Sequence, residues 1–255
     1  MKSSQRRMLI YDLLIKNNDV EVNALSTEFN VSTMTICRDL LLFEKQGLVT
    51  TTYGGAYLNQ GTTSEASFSL KATQMIEEKN TIGIYASQMI EDGDTIIIDS
   101  GSTTLQLAKH LQDKKLTVIT NSWPLVNFLG NNNKIKLILA PGEYNSVSAG
   151  TIDGKTIAFF KEINADKAFI STQGCDLTRG LTVPELIDAE VKKSMMNAGK
   201  KKYLLLDHTK IGLTFMAKHG MITDFDYIIV DEKITDHDYN ELAKQCRNVI
   251  KARNQ

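Results

Sequence analysis

The chain reads as an α/β protein in two parts, a small module of helices with a hairpin followed by an open α/β sheet. Three observations predict this. Residues 1–58 hold three short patterns of helical period and then an alternating run that doubles back at Gly54-Gly55. Residues 59–73 turn polar and read as a linker, in which Phe68 and Leu70 are expected to dock on the following domain. From residue 74 onward short apolar runs without alternation take turns with helical patterns, as strands buried on both faces and joined by parallel crossovers do.

In the first module Leu9, Ile10, Leu13 and Leu14 recur at helical spacing between Gln5 and Lys16, and Asn17-Asn18-Asp19 ends the pattern. Asn23 is placed to cap a second, short helix with Ala24, Leu25 and Phe29 inward and Asn30 closing it. After a tight turn Ser32 caps a third helix, with Ile36, Leu40 and Phe43 inward and Gly47 past its end. Helical phase then puts Thr33, Met34, Cys37, Arg38 and Leu41 on the outer side. LVTTTYGGAYL alternates like a strand, turns at Gly54-Gly55 and returns, which outlines a wing. The module over 3–58 is therefore predicted to be a winged helix-turn-helix, with the helix-turn-helix at about 20–39. The alternative is that a module of this size serves protein contacts or caps a larger domain.

The second part, 74–255, is predicted to run helix (74–91), strand TIIID (95–99), helix (102–111), LTVIT (116–120), helix (123–130) and KIKLILA (134–140). It continues with KAFIST (167–172), helix (185–197), KYLLLD (202–207), YIIVD (227–231) and a carboxy-terminal helical run over 237–252. That run is a candidate either for subunit contact or for covering a sheet edge. Ligands of open α/β sheets bind beyond the carboxyl ends of the strands. At those ends stand Asp99, Ser100, Gly101, Ser102, Thr103 and Thr104, then Thr120, Asn121 and Ser122, then Pro141-Gly142. His208-Thr209-Lys210 follows KYLLLD. Hydroxyls, glycines and a lysine at helix starts suit a phosphorylated small ligand, and Asp176, Glu185 and Asp207 could accept bonds from sugar hydroxyls.

Composition narrows the class. The 255 residues are 42% hydrophobic and 23% charged, as in ordinary globular proteins. Cys37, Cys175 and Cys246 have neither paired nor CxxC spacing, so no disulfide framework or zinc site is expected, and a reducing cytoplasm fits best. Neither a signal peptide nor a membrane span is expected. Net charge is −1, and within 1–58 six basic residues meet six acidic ones, so a DNA-binding role must rest on geometry. GxSxG, P-loop and metal-ligand spacings are missing, and His110, His208, His219 and His237 are scattered. His208 is expected to be hydrogen-bonded and structural. An isomerase with an appended module would need a positioned acid and base, for which Glu185 and Asp176 are the only candidates.

Residues 6–56 resemble the DNA-binding domain of the DeoR (deoxyribose-operon repressor, glycerol-3-phosphate repressor type) family of bacterial regulators of sugar metabolism. The resemblance rests on VSTMTICRDL, the glycine at 47 and YGGA at 53–56. DSGSTT, VITNS, ADKAFISTQGCDLTRGLT (165–182), EVKKSMM (190–196) and LLLDHTKIG (204–212) are similar to that family's effector domain, whose fold resembles ribose-5-phosphate isomerase and glucosamine-6-phosphate deaminase. It implies a homodimeric or homotetrameric repressor of a carbohydrate or polyol operon, modulated by a phosphorylated sugar or polyol and needing no other cofactor. The operator would be read by Ser32, Thr33, Met34, Thr35, Cys37 and Arg38 with the wing at Tyr53, Gly54 and Gly55. The effector would be bound by residues 99–104 and 120–122 with Gly142, Gly174, Asp176 and Lys210. The family usually carries arginine where Cys37 stands, arginine near Thr51, histidine at Tyr53 and glycine at Pro141, so weaker non-specific DNA binding is expected.

Overall fold

In a computed structural model, which describes residues 2–45, 48–59 and 68–253, the chain divides into two compact units, Met1–Gln74 and Met75–Gln255. The first begins with α1 (Ser3–Asn17), which stops where Asn18 takes the left-handed conformation and returns its N–H to Leu14. A short strand β1 (Asp19–Glu21) follows, then α2 (Val22–Phe29), which ends at left-handed Asn30. Asn23 is not the cap expected of it: Glu21 holds the cap position without a side-chain bond, and Asn23 sits inside the helix. The first helical N–H is met from the wing instead, Val22 donating to the Gly54 carbonyl at 2.7 Å.

Ser32 does cap α3 (Thr33–Lys45), its Oγ accepting the Thr35 N–H at 3.3 Å. The expected stop at Gly47 lies outside the described residues. β2 (Val49–Thr52) and β3 (Gly55–Leu58) form the wing, and β1 joins it as a third antiparallel strand, Val20 facing Ala56. With one inward residue, β1 is too short to show a period of two. Ile10, Leu14, Val20, Leu25, Ile36, Leu40, Phe43 and Val49 make the core, each fully buried aliphatic side chain contributing about 1.5–3 kcal/mol relative to exposure. Most of the expected linker, 60–67, lies outside the described residues. Beyond it, α4 (Phe68–Lys71) places Leu70 in this same core, contrary to its expected docking on the following domain.

The second unit opens with α5 (Ile76–Gln88), β4 (Thr95–Ile98), α6 (Ser102–Ala108), β5 (Leu116–Thr120), α7 (Trp123–Leu129) and β6 (Ile135–Leu139). A two-residue-per-strand hairpin, β7 (Tyr144–Asn145) and β8 (Gly150–Thr151), precedes α8 (Gly154–Lys161), which is closed by a reciprocal Asp153/Thr156 capping box. Then come β9 (Ala165–Ser171), β10 (Gly174–Asp176), β11 (Gly180–Val183), α9 (Leu186–Ala198), β12 (Gly199–Leu206), β13 (Ala217–Gly220), β14 (Tyr227–Asp231), α10 (Asp236–Gln245) and β15 (Val249–Ala252). The expected single helix over 237–252 therefore ends at Gln245, and Val249–Ala252 pairs with β14 as the sheet edge.

Seven parallel strands run in the order β15-β14-β12-β9-β4-β5-β6. Successive residues feed opposite faces: Ile97 packs with Phe160, Val191 and Met195, while Ile96 and Ile98 pack with Ile82, Ala86, Leu107 and Leu125. This two-sided burial explains the continuous apolar runs. From β4 the chain moves outward through β5 and β6, then returns to the other side of β4 as β9 and moves outward again. The seam between β4 and β9 is thus a topological switch point. Beyond β9, β10-β11-β13 form a small antiparallel sheet. No helix among the described residues is long and apolar enough to cross a membrane.

Candidate functional site

Around α3 the structure keeps Ser32, Thr33, Met34 and Arg38 exposed, with Thr35 half-buried and its hydroxyl 2.9 Å from that of Ser32. Cys37 is less outward than its phase suggested: it is half-buried and packs against the core. At the wing tip Tyr53 is fully exposed beside Gly54, whose φ of 136° only glycine takes up easily. Gly55 is buried instead against β1, where a Cβ would lie 2.2 Å from the Val20 carbonyl oxygen. Two acids on α3 bond to neighbouring elements. Asp39 accepts the Arg6 Nε–H at 2.6 Å in a buried pair, with Arg7 Nε at 3.6 Å, and Glu44 Oε1 accepts the Thr51 backbone N–H at 2.9 Å and the Thr51 hydroxyl. Those Thr51 bonds hold the Glu44 carboxyl below its ordinary pKa.

At the switch point Asp99 is the hub. Its Oδ1 accepts from the Thr104 hydroxyl (2.6 Å) and the Gly101 N–H (3.1 Å), and its Oδ2 from the Ser171 N–H and hydroxyl (both 2.8 Å) and the Lys192 ammonium (2.5 Å). Burial works to raise the Asp99 pKa, but the Lys192 charge and the hydrogen bonds together outweigh it and hold the carboxyl below the usual range. Asp99 and Thr104 are thus occupied internally, and they tie the end of β4 to the end of β9 and to α9. Around them lie Ser100, Gly101, Ser102 and Thr103. Gly101 is required by close approach, since a Cβ would stand 2.0 Å from Ser171 Oγ. Gly150, in the β7–β8 hairpin, packs closely against Asn121 and Ser100, and left-handed Ala149 accepts the Trp123 N–H at 2.9 Å.

Lys192, Ser171 and His219 were not among the expected site residues. Lys192 shares the inward stripe of α9 with Asp188, Val191 and Met195, and a lysine at an apolar phase was the available signal. His219, also buried, contacts Thr172 Oγ1 through Nε2 at 3.0 Å. The Thr172 hydroxyl also lies within hydrogen-bond reach of the Gly174 and Thr182 carbonyls. Burial first, then the Lys192 charge, lowers the His219 pKa to about 3, so the ring is neutral.

The remaining expected residues divide by role. Thr120 donates to the Ile98 carbonyl at 2.6 Å and accepts the Ser122 N–H, while Ser122 caps α7. Asn121 donates Nδ2–H to the Thr151 carbonyl at 2.9 Å, which leaves its buried Oδ1 as an acceptor without a described partner. Gly142 is exposed and abuts the Asp153/Thr156 cap, and Gly174 lies in the small sheet against the Leu213 carbonyl. Asp176 Oδ1 accepts the Thr178 and Arg179 N–H groups and shapes that hairpin turn, and Glu185 is exposed. At the end of β12, Asp207 is buried with Lys210 Nζ 4.0 Å from its Oδ2. Burial opposes its charge, but Lys210, Lys79 and Thr209 outweigh it and lower its pKa. Lys79, another missed residue, lies on the inward stripe of α5. His208 is held by Asp231 at 2.8 Å, the structural part expected of it.

A cavity of about 300 Å³ lies between α8 and α9, lined by Phe160, Lys161, Asn164, Glu190, Lys193 and Ala198. Asn164 and Ala198 immediately precede β9 and β12, so it lies toward the amino ends of those strands, opposite the end at which ligands of such sheets bind.

Residues 6–62 match the DeoR-like helix-turn-helix domain, and residues 74–232 match the DeoR C terminal sensor domain. The chain is 34% identical to the HTH-type transcriptional regulator GolR of Listeria innocua, over 90% of this chain and 91% of that protein. It is 32% identical to the HTH-type transcriptional repressor GlcR of Bacillus subtilis, over 91% and 89% of the two. A ribose 5-phosphate isomerase A structure from Methanocaldococcus jannaschii aligns with 16% identity and a TM-score of 0.39, covering 52% of this chain and 53% of that one. The fold class stands on the strand order.

Proposed function

The chain belongs to the DeoR family of helix-turn-helix transcriptional regulators, and from that premise we propose that it represses a carbohydrate or polyol utilisation operon and is modulated by a phosphorylated sugar or polyol. Ser32, Thr33, Met34, Thr35 and Arg38 would enter the major groove, with Tyr53 and Gly54 of the wing beside it. The effector would lie over the β4–β9 seam. Ser100, Gly101, Ser102 and Thr103 would receive its anionic end, Lys210 would reach toward it, and Asn121 Oδ1 would accept from a hydroxyl.

The observation that carries this reading is the switch point itself, where the ends of β4 and β9 and helix α9 are joined through Asp99, Ser171 and Lys192. A ligand seated there bears on three elements at once, and it shifts the regulator only through different affinity for the DNA-competent and released states. A twofold oligomer would present two reading helices to operator half-sites, and homodimer and homotetramer both satisfy that symmetry.

The test pairs a thermal-shift screen of phosphorylated sugars and polyols, each beside its unphosphorylated form, with retardation of DNA from the upstream region of the chain's own gene. Stabilisation by phosphorylated compounds alone, lost in Ser102→Glu and Lys210→Ala, together with release of the retarded fragment, is the expected result. Equal response to the unphosphorylated forms would refute the effector class, and failure to retard at low salt would refute operator binding.

A further inference from the structure

We propose that Asp39 and Glu44, the two carboxylates of α3, are positioning residues for operator reading: they lock α3, α1 and the wing into one rigid head and contact no base themselves. This rests on the reading that the first unit grips an operator. Asp39 holds Arg6 of α1 at 2.6 Å with both side chains under a tenth exposed, and Glu44 holds the backbone and hydroxyl of Thr51 in β2. The two acids are five residues apart, which places them about 140° apart around the helix. Restraints that far apart oppose rotation of α3 about its own axis.

The apolar core resists gross movement of α3 by packing, and the carboxylate bonds add an angular restraint to it. Contacts of Ile36, Leu40 and Phe43 are non-directional, whereas the carboxylate bonds depend on angle. A side-chain tip on a helix of roughly 5–6 Å radius moves about 2 Å for a 20° rotation. Hydrogen bonds to base edges tolerate only a few tenths of an ångström. Phase therefore decides whether Thr33, Met34 and Arg38 meet their bases. A buried ion pair is a weak source of net stability compared with an apolar pair of like volume, so its contribution here is orientation. The same bonds engage both acids of the reading helix with neighbouring groups of the module.

The experiment uses the full chain and two duplexes, one enriched from random-sequence DNA by the wild-type protein and one scrambled to the same composition. The variants are the double Arg6→Met/Asp39→Leu, Glu44→Ala and Glu44→Gln. The double variant should keep its thermal midpoint and its affinity for the scrambled duplex while the ratio of the two affinities falls about tenfold or more, as expected for at least one lost base contact. Glu44→Ala should lower the same ratio and Glu44→Gln, which keeps the acceptor for Thr51, should restore it. Should the double variant unfold, Arg6→Lys, which keeps the charge and alters the geometry, takes its place with the same expectation. Ratios within twofold of wild type in both the pair variant and Glu44→Ala overturn the proposal. Enrichment of no sequence at all overturns operator reading and this inference together.

Discussion

Replacing Lys192 by Met keeps most of the side chain's length and removes the charge opposite Asp99. In the wild-type protein Lys192 Nζ donates to Asp99 Oδ2 at 2.5 Å and to the Ser171 carbonyl at 3.2 Å. Loss of one partner from a buried pair costs about 3–5 kcal/mol. Asp99 keeps the Ser171 N–H and hydroxyl, the Gly101 N–H and the Thr104 hydroxyl as donors, which places the loss toward about 3 kcal/mol.

The pH dependence has a definite sign. A lowered folded-state pKa makes wild-type Asp99 stabilising above its unfolded value of about 3.9, and that contribution is lost as pH falls through the folded value. Without Lys192 the opposing effect of burial is expected to prevail and lift the Asp99 pKa above the unfolded one. The variant then binds a proton on folding, and its deficit narrows as pH falls from 7 toward 5. Urea unfolding followed by fluorescence of Trp123, the single tryptophan and a residue of the second unit, measures the gap at both pH values. Adding Asp99→Asn should recover part of the loss. A deficit below about 1 kcal/mol at pH 7, or one that widens on acidification, would refute the placement of the pair.

His219, with its pKa lowered to about 3, should not titrate between pH 5 and 8 by NMR, and below about 6.5 it should cost the fold up to about 1.4 kcal/mol per pH unit, a slope that His219→Leu removes. A midpoint near 6.5 would show a solvated ring. Gly101→Ala should destabilise the second unit by about 1–3 kcal/mol, because its methyl displaces Ser171 Oγ from Asp99, and adding Ser171→Gly should return part of that. A neutral Gly101→Ala in urea unfolding would count against the close approach. Cys37→Arg should steepen the salt dependence of DNA binding by about one unit of log–log slope, its stem lying along the core edge and its charge reaching solvent. An unchanged slope means that position 37 does not reach the phosphates.

Elements with strong periodicity were legible from residues alone, and the failures were local. The tail after Gln245 continues the helical pattern in sequence because NVIKA is too short to separate a strand from a helical turn, and pairing to β14 decides it. Helix α8 went unread because Gly154 opens it, although Asp153 and Thr156 stood at capping-box spacing. At the candidate site the hydroxyl-rich loops were found but their roles were mixed. Asp99 and Thr104 turn inward, and the decisive partners Ser171 and Lys192 come from segments 72 and 93 residues away from Asp99. Distances of that kind carry no local pattern. In the first module the zero charge balance hid a geometric fact, that Asp39 and Glu44 are engaged with Arg6 and Thr51.

The β4–β9 seam also dictates when the sheet can close. Its partners are 71 residues apart, Ile96 with Lys167 through Ile98 with Phe169. On a ribosome adding about 5–20 residues per second, β4 waits roughly 4–14 s for β9 to be made. Until then any pairing of β4 with β5 and β6 would leave its other edge, Ile96–Ile98, without β9, a surface open to pairing with another nascent chain. Chaperone demand during synthesis should therefore concentrate between the appearance of residue 98 and that of residue 169.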